Sequence, residues 1–210
     1  MDIERKGGNC IVISSKKYTF VIDPNLSPYG LKNQGAGATA EILTHADAGV
    51  PTSDATVVIE GPGEYEVHNC TIVGVAARPH SQPEDAPKSA TIYRLDFEDI
   101  TVAVLGHVKA QLKEDDLEAI GVVDVLVLPV GGNGYTLEPK EAVQMVRTIE
   151  PKLVIPTHYQ EDGVSFEIPQ APLSDFIKEL GAAHEQTAKL KLKSGALPET
   201  LTVYEITRTK

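Results

Sequence analysis

The sequence contains no tryptophan, and aromatic residues make up only 5% of its 210 residues. A hydrophobic core must therefore rest on valine, isoleucine, leucine and alanine, because few large rings are available to fill it. Apolar residues still account for 41% and charged residues for 23% of the chain, as in ordinary globular proteins. A chain of this length can bury a sizeable core, and we expect one domain spanning residues 1–210.

Long apolar runs and cysteines are also scarce. No apolar run approaches the roughly 20 residues of a membrane-spanning helix, and residues 1–10 carry charges without the apolar segment of a signal peptide. Cys10 and Cys70 are the only cysteines, and without a secretory signal they are predicted to be reduced core residues. We therefore expect a cytoplasmic protein with no membrane partner.

Basic side chains are outnumbered, since 19 Lys and Arg against 30 Asp and Glu give a net charge of −11. Such a field repels a phosphate backbone unless basic side chains are concentrated locally. The densest basic segment, residues 188–195, alternates three lysines with apolar residues, which is typical of the solvated face of an edge strand. We predict no nucleic-acid partner, which leaves a small molecule as the ligand to consider.

Alternating patterns rich in β-branched residues dominate the first half of the chain. They predict strands at residues 10–14, 18–23, 41–45, 55–61, 64–69, 70–77, 90–97 and 100–106. Short polar turns join several of these strands into hairpins. Residues 77–90 are rich in proline, serine and charge, and are predicted to form a loop.

Helical spacing appears in the second half. It predicts helices at residues 112–121, 139–149 and 173–180, buried strands at residues 123–130 and 152–158, and a final hairpin of residues 188–194 and 201–207. Strands outnumber helices, and the helices come late in the chain. This order favours a layered α/β fold with mixed sheets over a doubly wound parallel sheet.

Three motifs that would define other enzyme classes are incomplete or missing. Residues 35–40 match G-x-G-x-x-A, but no apolar strand precedes them, so a dinucleotide would lack its strand–helix scaffold. Residues 131–134 lack the Lys-Ser/Thr pair that grips phosphate and Mg²⁺, and no G-x-S-x-G elbow occurs. Gly131, Gly132 and Gly134 leave two alternatives open: backbone N–H groups that approach an anionic ligand, or a tight turn from strand to helix.

Three segments, taken together, resemble one family. They are DPNLSPYG at residues 23–30, GPGEYEV at residues 61–67, and residues 128–159, which run from LPVGG to IPTHY. In this order they are similar to the metallo-β-lactamase superfamily, in the branch of ascorbate-6-phosphate lactonases and Zn-dependent hydrolases. The resemblance covers about residues 3–180 and implies a four-layer αββα sandwich. It also implies hydrolysis at two divalent ions about 3.5–4 Å apart, which activate water and polarise the scissile bond.

The resemblance implies a set of metal ligands that this chain keeps only in part. The family's His-x-His-x-Asp-His loop corresponds to residues 44–50, which read THADAGV. Two registers are open, and at most His45 and Asp47 remain as ligands in either of them. His107 stands where the family has a bridging Asp, whereas His158 matches the final His of the Ile-Pro-x-His strand. The motif is therefore degenerate.

The resemblance still allows a site for one ion. It implies four metal ligands at strand ends that this fold gathers on one rim, namely His45, Asp47, His107 and His158. Four N and O ligands are enough for one zinc or another divalent ion. Asp47 is the predicted catalytic carboxylate, which would orient a metal-bound water toward a small lactone or phosphoester. Asp23, which supports the site from behind the ligands in this branch, is kept, and His80 lies one residue beyond the family's third His.

A second interpretation stays open. In it the four side chains are remnants, no ion is bound, and His80 and His107 are exposed. The chain would then be a non-catalytic binding or scaffold protein that keeps the fold and the cleft. The metal content per chain separates the two interpretations.

Overall fold

The computed structural model describes residues 1–83, 85, 87–193 and 195–209. Its strands are β1 (Asp2–Gly7), β2 (Cys10–Ser14), β3 (Thr19–Ile22), β4 (Ala40–Leu43), β5 (Val57–Glu60), β6 (Gly63–Val67), β7 (Cys70–Ala77), β8 (Ala90–Phe97), β9 (Ile100–Val104), β10 (Val125–Pro129), β11 (Leu153–Thr157), β12 (Ala183–Thr187), β13 (Leu190–Lys191) and β14 (Thr202–Ile206). Its α-helices are α1 (Glu114–Ile120), α2 (Pro139–Ile149) and α3 (Leu173–Leu180). Glu84 and Ala86 of the predicted loop, and Ser194 of the predicted final hairpin, lie outside the described residues.

The strands form two mixed sheets. The first has six strands in the order β13-β1-β2-β3-β4-β5, and the second has eight in the order β12-β14-β11-β10-β9-β8-β7-β6. In the first sheet β3, β4 and β5 run parallel, as do β9, β10, β11, β14 and β12 in the second. The remaining pairs are antiparallel. The prediction of mixed sheets in a layered α/β fold is confirmed.

The main core lies between the two sheets. Alternate residues of β2, Ile11 and Ile13, share this core with Val125 and Val127 of β10. The period of two follows from strand geometry, which turns successive side chains to opposite faces. Both sheets thus bury one face against the other, as in a sandwich.

A second core lies between the eight-stranded sheet and the helices. Leu126 and Leu128 of β10 pack there with Val143 and Val146 of α2 and with Phe176 of α3. β10 is therefore covered on both faces, which explains why its sequence is a continuous apolar run.

The outer face of the six-stranded sheet is covered by residues 24–38, in which the one regular element is the 3₁₀ turn Ser27–Tyr29. Leu26 and Ala38 from this segment pack with Cys10 in a small buried cluster. The αββα sandwich is confirmed, and on this side its outer layer is irregular rather than α-helical. The 3₁₀ turn brings an aromatic ring to the rim of the sandwich.

Four strands depart from the prediction. The predicted final hairpin is wrong, because β13 pairs with β1 in the first sheet whereas β14 runs parallel to β11 and β12 in the second. An alternating pattern identifies a strand but not its partner. β1 and β12 are absent from the prediction because their sequences, DIERKG and AHEQT, are polar. In β1 only Ile3 is a large apolar residue, and Arg5 is buried through its ion pair with Glu161.

Several predictions about single residues are confirmed. Cys10 and Cys70 are free and buried. Gly121 and Gly181 follow α1 and α3 with φ of +62° and +66°, and Pro139 is the first residue of α2. Among the helices of the described residues, none is long and apolar enough to cross a membrane.

Candidate functional site

Three histidines lie together at one rim of the sandwich. His45, His107 and His158 follow the ends of β4, β9 and β11, respectively. The ring centroids of His45 and His107 are 5.5 Å apart, and those of His107 and His158 are 4.5 Å apart. β9 and β11 belong to the parallel part of one sheet, so their carboxyl ends meet at the same edge. Three of the four predicted ligands are therefore neighbours.

Asp47, the fourth predicted ligand, lies on the wall of the adjoining pocket. It belongs to a 3₁₀ turn, Ala46–Ala48, that follows His45. The residue is exposed, and its backbone carbonyl accepts a hydrogen bond from Nδ2 of Asn25 at 3.1 Å. Its roles as a ligand and as the carboxylate that orients water stay predictions.

A buried polar network ties the two sheets together behind the histidines. Nδ2 of Asn9 donates to Oδ2 of Asp23 at 2.7 Å, and Oγ1 of Thr157 donates to Oδ1 of Asn9 at 2.6 Å. Asp23 also accepts hydrogen bonds from the backbone N–H and Oγ1 of Thr44, at 2.8 and 2.7 Å. Thr44 and Thr157 each directly precede one of the histidines. The network, which includes the predicted support from Asp23, therefore fixes the backbone that carries two of the rings.

The same network determines which nitrogen of His45 is free. Oγ1 of Thr44 gives its proton to Asp23, so it can only accept from Nδ1 of His45, 3.2 Å away. The resulting Nδ1–H tautomer leaves the lone pair of Nε2 available. His45 lines the pocket, where this lone pair can bind an ion or accept a proton.

His107 lies between the other two rings. Its Nε2 is buried and has no hydrogen-bond partner in the described part of the chain. Burial lowers the pKa of His107 well below its ordinary value, and the neighbouring His158, His45 and His80 lower it further. The ring is therefore neutral near pH 7. A buried nitrogen without a partner costs about 1–3 kcal/mol, a cost that a bound ion would remove.

His80 adjoins this group from the loop between β7 and β8. Its backbone N–H donates to the carbonyl of His107 at 2.7 Å, and its Nδ1 is buried and unpartnered among the described residues. The interpretation in which His80 and His107 are exposed is wrong, because both are half-buried. Antiparallel pairing of Pro79 with Val108 brings the two loops together. That pairing could not be predicted, because neither loop has a strand pattern.

His158 is fully buried, and both of its ring nitrogens are engaged. Nδ1 lies 3.3 Å from Oε1 of Gln170, whose own Nε2 donates to the carbonyl of Ile168 at 2.7 Å and so sets the orientation of the amide. An amide oxygen only accepts, so Nδ1 of His158 donates. Nε2 then accepts from the hydroxyl of Tyr29 at 3.3 Å. Burial lowers the pKa of His158 to about 4, so this ring is also neutral near pH 7.

A pocket of about 450 Å³ opens over His45 and His107. Tyr29, Tyr135 and Phe166 form part of its wall, and their ring centroids lie 4.6–5.4 Å from that of His158. Sequence reasoning missed all three. Tyr29 and Tyr135 lie inside the segments that carry the family resemblance, and this position was the signal that could have identified them.

The charged side chains that line the pocket are all acidic. They are Asp23, Asp47 and Glu167, and within the described residues no lysine or arginine joins them. Burial raises the pKa of Tyr135, a hydrogen bond with Tyr29 lowers it in part, and the negative charges of Glu167 and Asp47 raise it further. The pocket therefore has a negative potential unless a cation is bound.

In the glycine-rich loop after β10, two backbone N–H groups donate to side chains that follow a few residues later. The N–H of Gly132 donates to Oγ1 of Thr136 at 2.8 Å, and that of Gly134 donates to Oε1 of Glu138 at 3.1 Å. Both glycines have positive φ, as a tight turn from strand to helix requires. Of the two alternatives for this loop, the structure favours the turn over an anion site, because a carboxylate already accepts from the loop.

The donors present suit one ion with imidazole ligands. They are the neighbouring rings of His45, His107 and His158. Burial keeps His107 and His158 neutral, and Nε2 of His107 is buried without a partner among the described residues. As positioned, the described residues hold no group of three or more His, Cys, Asp and Glu side chains arranged for a metal. Nitrogen ligands of one zinc lie about 2.0–2.1 Å from the ion, so the rings would have to turn toward a common point.

Comparison with known proteins identifies relatives of the whole fold. The profile of the beta-lactamase superfamily domain matches residues 2–158. A Thermotoga maritima protein assigned to the Zn-dependent hydrolases of the metallo-β-lactamase superfamily superposes with a TM-score of 0.75. It is 27% identical, and the superposition covers 98% of this chain and 100% of that one. A metallo hydrolase from Ignicoccus hospitalis, 16% identical, shares the fold with a TM-score of 0.61 over 86% of this chain and 90% of its own.

Curated relatives match over shorter segments. A UPF0173 metal-dependent hydrolase of Staphylothermus marinus is 32% identical over 80 residues, which are 38% of this chain and 33% of the relative. One from Thermococcus onnurineus is 43% identical over 42 residues, or 20% of this chain and 18% of the relative. The chain thus matches a third or less of the length of these relatives.

Proposed function

Because this chain belongs to the metallo-β-lactamase superfamily, we propose that it binds one divalent metal ion at His45, His107 and His158. We further propose that it hydrolyses a small, uncharged ester or lactone. The observation that carries the proposal is the buried, unpartnered Nε2 of His107 between the two other rings. The metal-dependent hydrolases among its relatives support a divalent ion in general terms.

The proposal involves one ion rather than two. In the family's loop the Asp–His pair at its end holds the second ion, and residues 48–50 at the end of that loop in this chain are Ala, Gly and Val. None of these side chains is a metal ligand. The single ion would supply Lewis acidity and lower the pKa of a bound water.

Residues of the chain would hold the ion, orient the attacking water and exclude bulk water. His107 and His158 stay neutral because burial lowers their pKa values, so their lone pairs are not lost to protons near pH 7. Asp47, exposed on the pocket wall, would orient a water and accept its proton. The apolar part of the wall, including Phe166, would exclude bulk water from a small substrate.

The charge of the pocket bears on the substrate class. Its wall carries Asp23, Asp47 and Glu167, and no basic side chain from the described residues. Like unit charges about 7 Å apart repel by roughly 2 kcal/mol at an effective dielectric constant of 20. The proposed divalent ion offsets two of these three negative charges and leaves one, so an uncharged lactone or ester is favoured over a phosphoester.

Metal titration tests the proposal. After removal of metal with a chelator, wild-type protein should bind one equivalent of Zn²⁺, and His107→Ala should bind it at least roughly tenfold more weakly because one of three ligands is lost. His184→Ala is the matched control, since His184 is exposed and paired with Glu205 away from the pocket. Two equivalents in the wild type, or equal affinities in all three proteins, would contradict the proposal.

A non-catalytic binding protein is the competing function. The observation that favours it is the full engagement of His158, whose two ring nitrogens are both hydrogen-bonded. Hydrolysis of p-nitrophenyl acetate separates the two functions. We expect Zn²⁺ to stimulate hydrolysis by the wild type and not by His107→Ala, whereas a binding protein would show no Zn²⁺-dependent hydrolysis.

We also propose a cytoplasmic location, because the two cysteines are free and buried.

A further inference from the structure

The hydroxyl of Tyr29 contacts Nε2 of His158, the ring nitrogen that does not bond to Gln170. Its hydroxyl lies 3.3 Å from Nε2 of His158, and the two rings meet edge to face with centroids 5.4 Å apart. Since Gln170 fixes Nδ1 as the donor of His158, a hydrogen bond at Nε2 needs the phenol as its donor. The same hydroxyl also hydrogen-bonds with Tyr135. At 3.3 Å the phenol covers the lone pair that an ion would need.

The chain holds the Tyr29 ring in this place from several directions. Phe166 packs against it with centroids 5.4 Å apart, and the N–H of Ser165 donates to the carbonyl of Tyr29 at 3.1 Å. On another side, a Cβ at Gly8 would lie 2.7 Å from Cε2 of Tyr29. Gly8 also has φ of +51°, so a side chain there would be strained as well as crowded. The contact with His158 is thus built into the fold rather than formed by a loose side chain.

We propose that Tyr29 is a gate that competes with the metal ion for Nε2 of His158. This inference rests on the proposed one-ion site and adds its regulation. The ion binds with three histidines only when the phenol gives up its hydrogen bond, so the affinity of the closed site is reduced by the cost of opening. Tyr29 is a positioning residue here, because it acts through His158.

The test compares the Zn²⁺ and Co²⁺ affinities of the wild-type chain, Tyr29→Phe and Tyr93→Phe. Tyr29→Phe keeps the ring and removes the hydroxyl, so the affinity should rise about fivefold, which corresponds to one hydrogen bond of about 1 kcal/mol. Tyr93→Phe is the matched control, because it removes a buried phenol that donates to the carbonyl of Gly61 at 3.0 Å rather than to a histidine. Its metal affinity should equal that of the wild type.

A second readout does not need a metal. In ¹⁵N NMR spectra of chelator-treated protein, the unprotonated Nε2 of His158 should shift when Tyr29→Phe removes its donor, and should not shift in Tyr93→Phe. An unchanged Nε2 resonance in Tyr29→Phe would overturn the gate even if the variant were less stable than the wild type.

The outcomes separate this inference from the proposed function. Equal affinities of the wild type and Tyr29→Phe, with one ion bound to each, would overturn the gate and leave the one-ion site standing. Weaker binding by Tyr29→Phe would also overturn it, because the phenol would then be a ligand. Binding by Tyr29→Phe alone would support the gate in its strongest form. Failure of every variant to bind an ion would overturn both proposals.

Discussion

Asn9 is the residue whose removal tests the architecture of the site most severely. It is buried and joins the two sheets, since its amide donates to Asp23 and its carbonyl oxygen accepts from Thr157. Asn9→Ala removes both hydrogen bonds at once. Asp23 would lose one of its three hydrogen bonds, and the hydroxyl of Thr157 would be left without its acceptor inside the protein.

The expected loss follows from these two contacts. A hydrogen bond to a charged group contributes about 1.5–3 kcal/mol, and a buried hydroxyl without a partner costs about 1–3 kcal/mol. The two effects overlap because the cavity left by Asn9 can admit water, so we expect a loss of about 3 kcal/mol. In a chain of this size that corresponds to a fall in melting temperature of roughly 6–12 °C.

Urea unfolding of chelator-treated protein measures this loss. Asn25→Ala is the control, because its side chain makes exposed hydrogen bonds only. Its Nδ2 donates to the backbone carbonyl of Asp47, its Oδ1 accepts from Ser27, and their loss should cost less than about 1 kcal/mol. The double variant of Asn9→Ala and Thr157→Val should be more stable than the sum of the single losses predicts, since the two changes remove the same bond. A loss below about 1 kcal/mol in Asn9→Ala, or strict additivity with Thr157→Val, would refute the network.

Two further predictions concern packing and acid stability. Gly106→Ala should cost about 1–3 kcal/mol in the same urea assay, because its Cβ would clash with Oγ1 of Thr44. A cost near zero would contradict the close packing. The pKa of Glu4 is about 2, since hydrogen bonds from Lys189 and Lys6 outweigh the effect of burial. Its contribution is present above pH 4.5 and lost as the pH falls toward 2, so Glu4→Gln should lower wild-type stability by about 1 kcal/mol at pH 6 and not at pH 2.

Most of the fold could be predicted because its signals are local. The continuous apolar run of β10 indicated a strand covered on both faces, and the helical spacing at Pro139–Ile149 gave the bounds of α2. The partner of β13 could not be predicted, because pairing depends on where distant segments meet rather than on their own pattern. β1 was missed because the charge of Arg5 is neutralised by Glu161, far away in the sequence. That residues 1–210 form one domain stays a prediction.

Some residues of the candidate site could likewise be predicted from the sequence, and others could not. His45, His107 and His158 could be named in advance because a family motif marks their positions, and the structure brings their rings together. Asn9 lies outside the segments that carry the resemblance, and Tyr29 lies inside one of them without being a predicted ligand. Tyr29 contacts the predicted ligand His158, and Asn9 supports the backbone behind it. Their roles depend on a single hydrogen bond geometry, which no local sequence pattern encodes.

Anomalous diffraction from Zn²⁺-soaked crystals would show whether one ion binds at the three histidines. We expect a single peak at the zinc edge, with nitrogens of His45, His107 and His158 about 2.0–2.1 Å away and the Tyr29 hydroxyl withdrawn from His158. Two peaks about 3.5–4 Å apart would restore the two-ion centre of the family. No peak among the three rings, at a Zn²⁺ concentration that loads exposed surface sites, would show that the three histidines do not form a metal site.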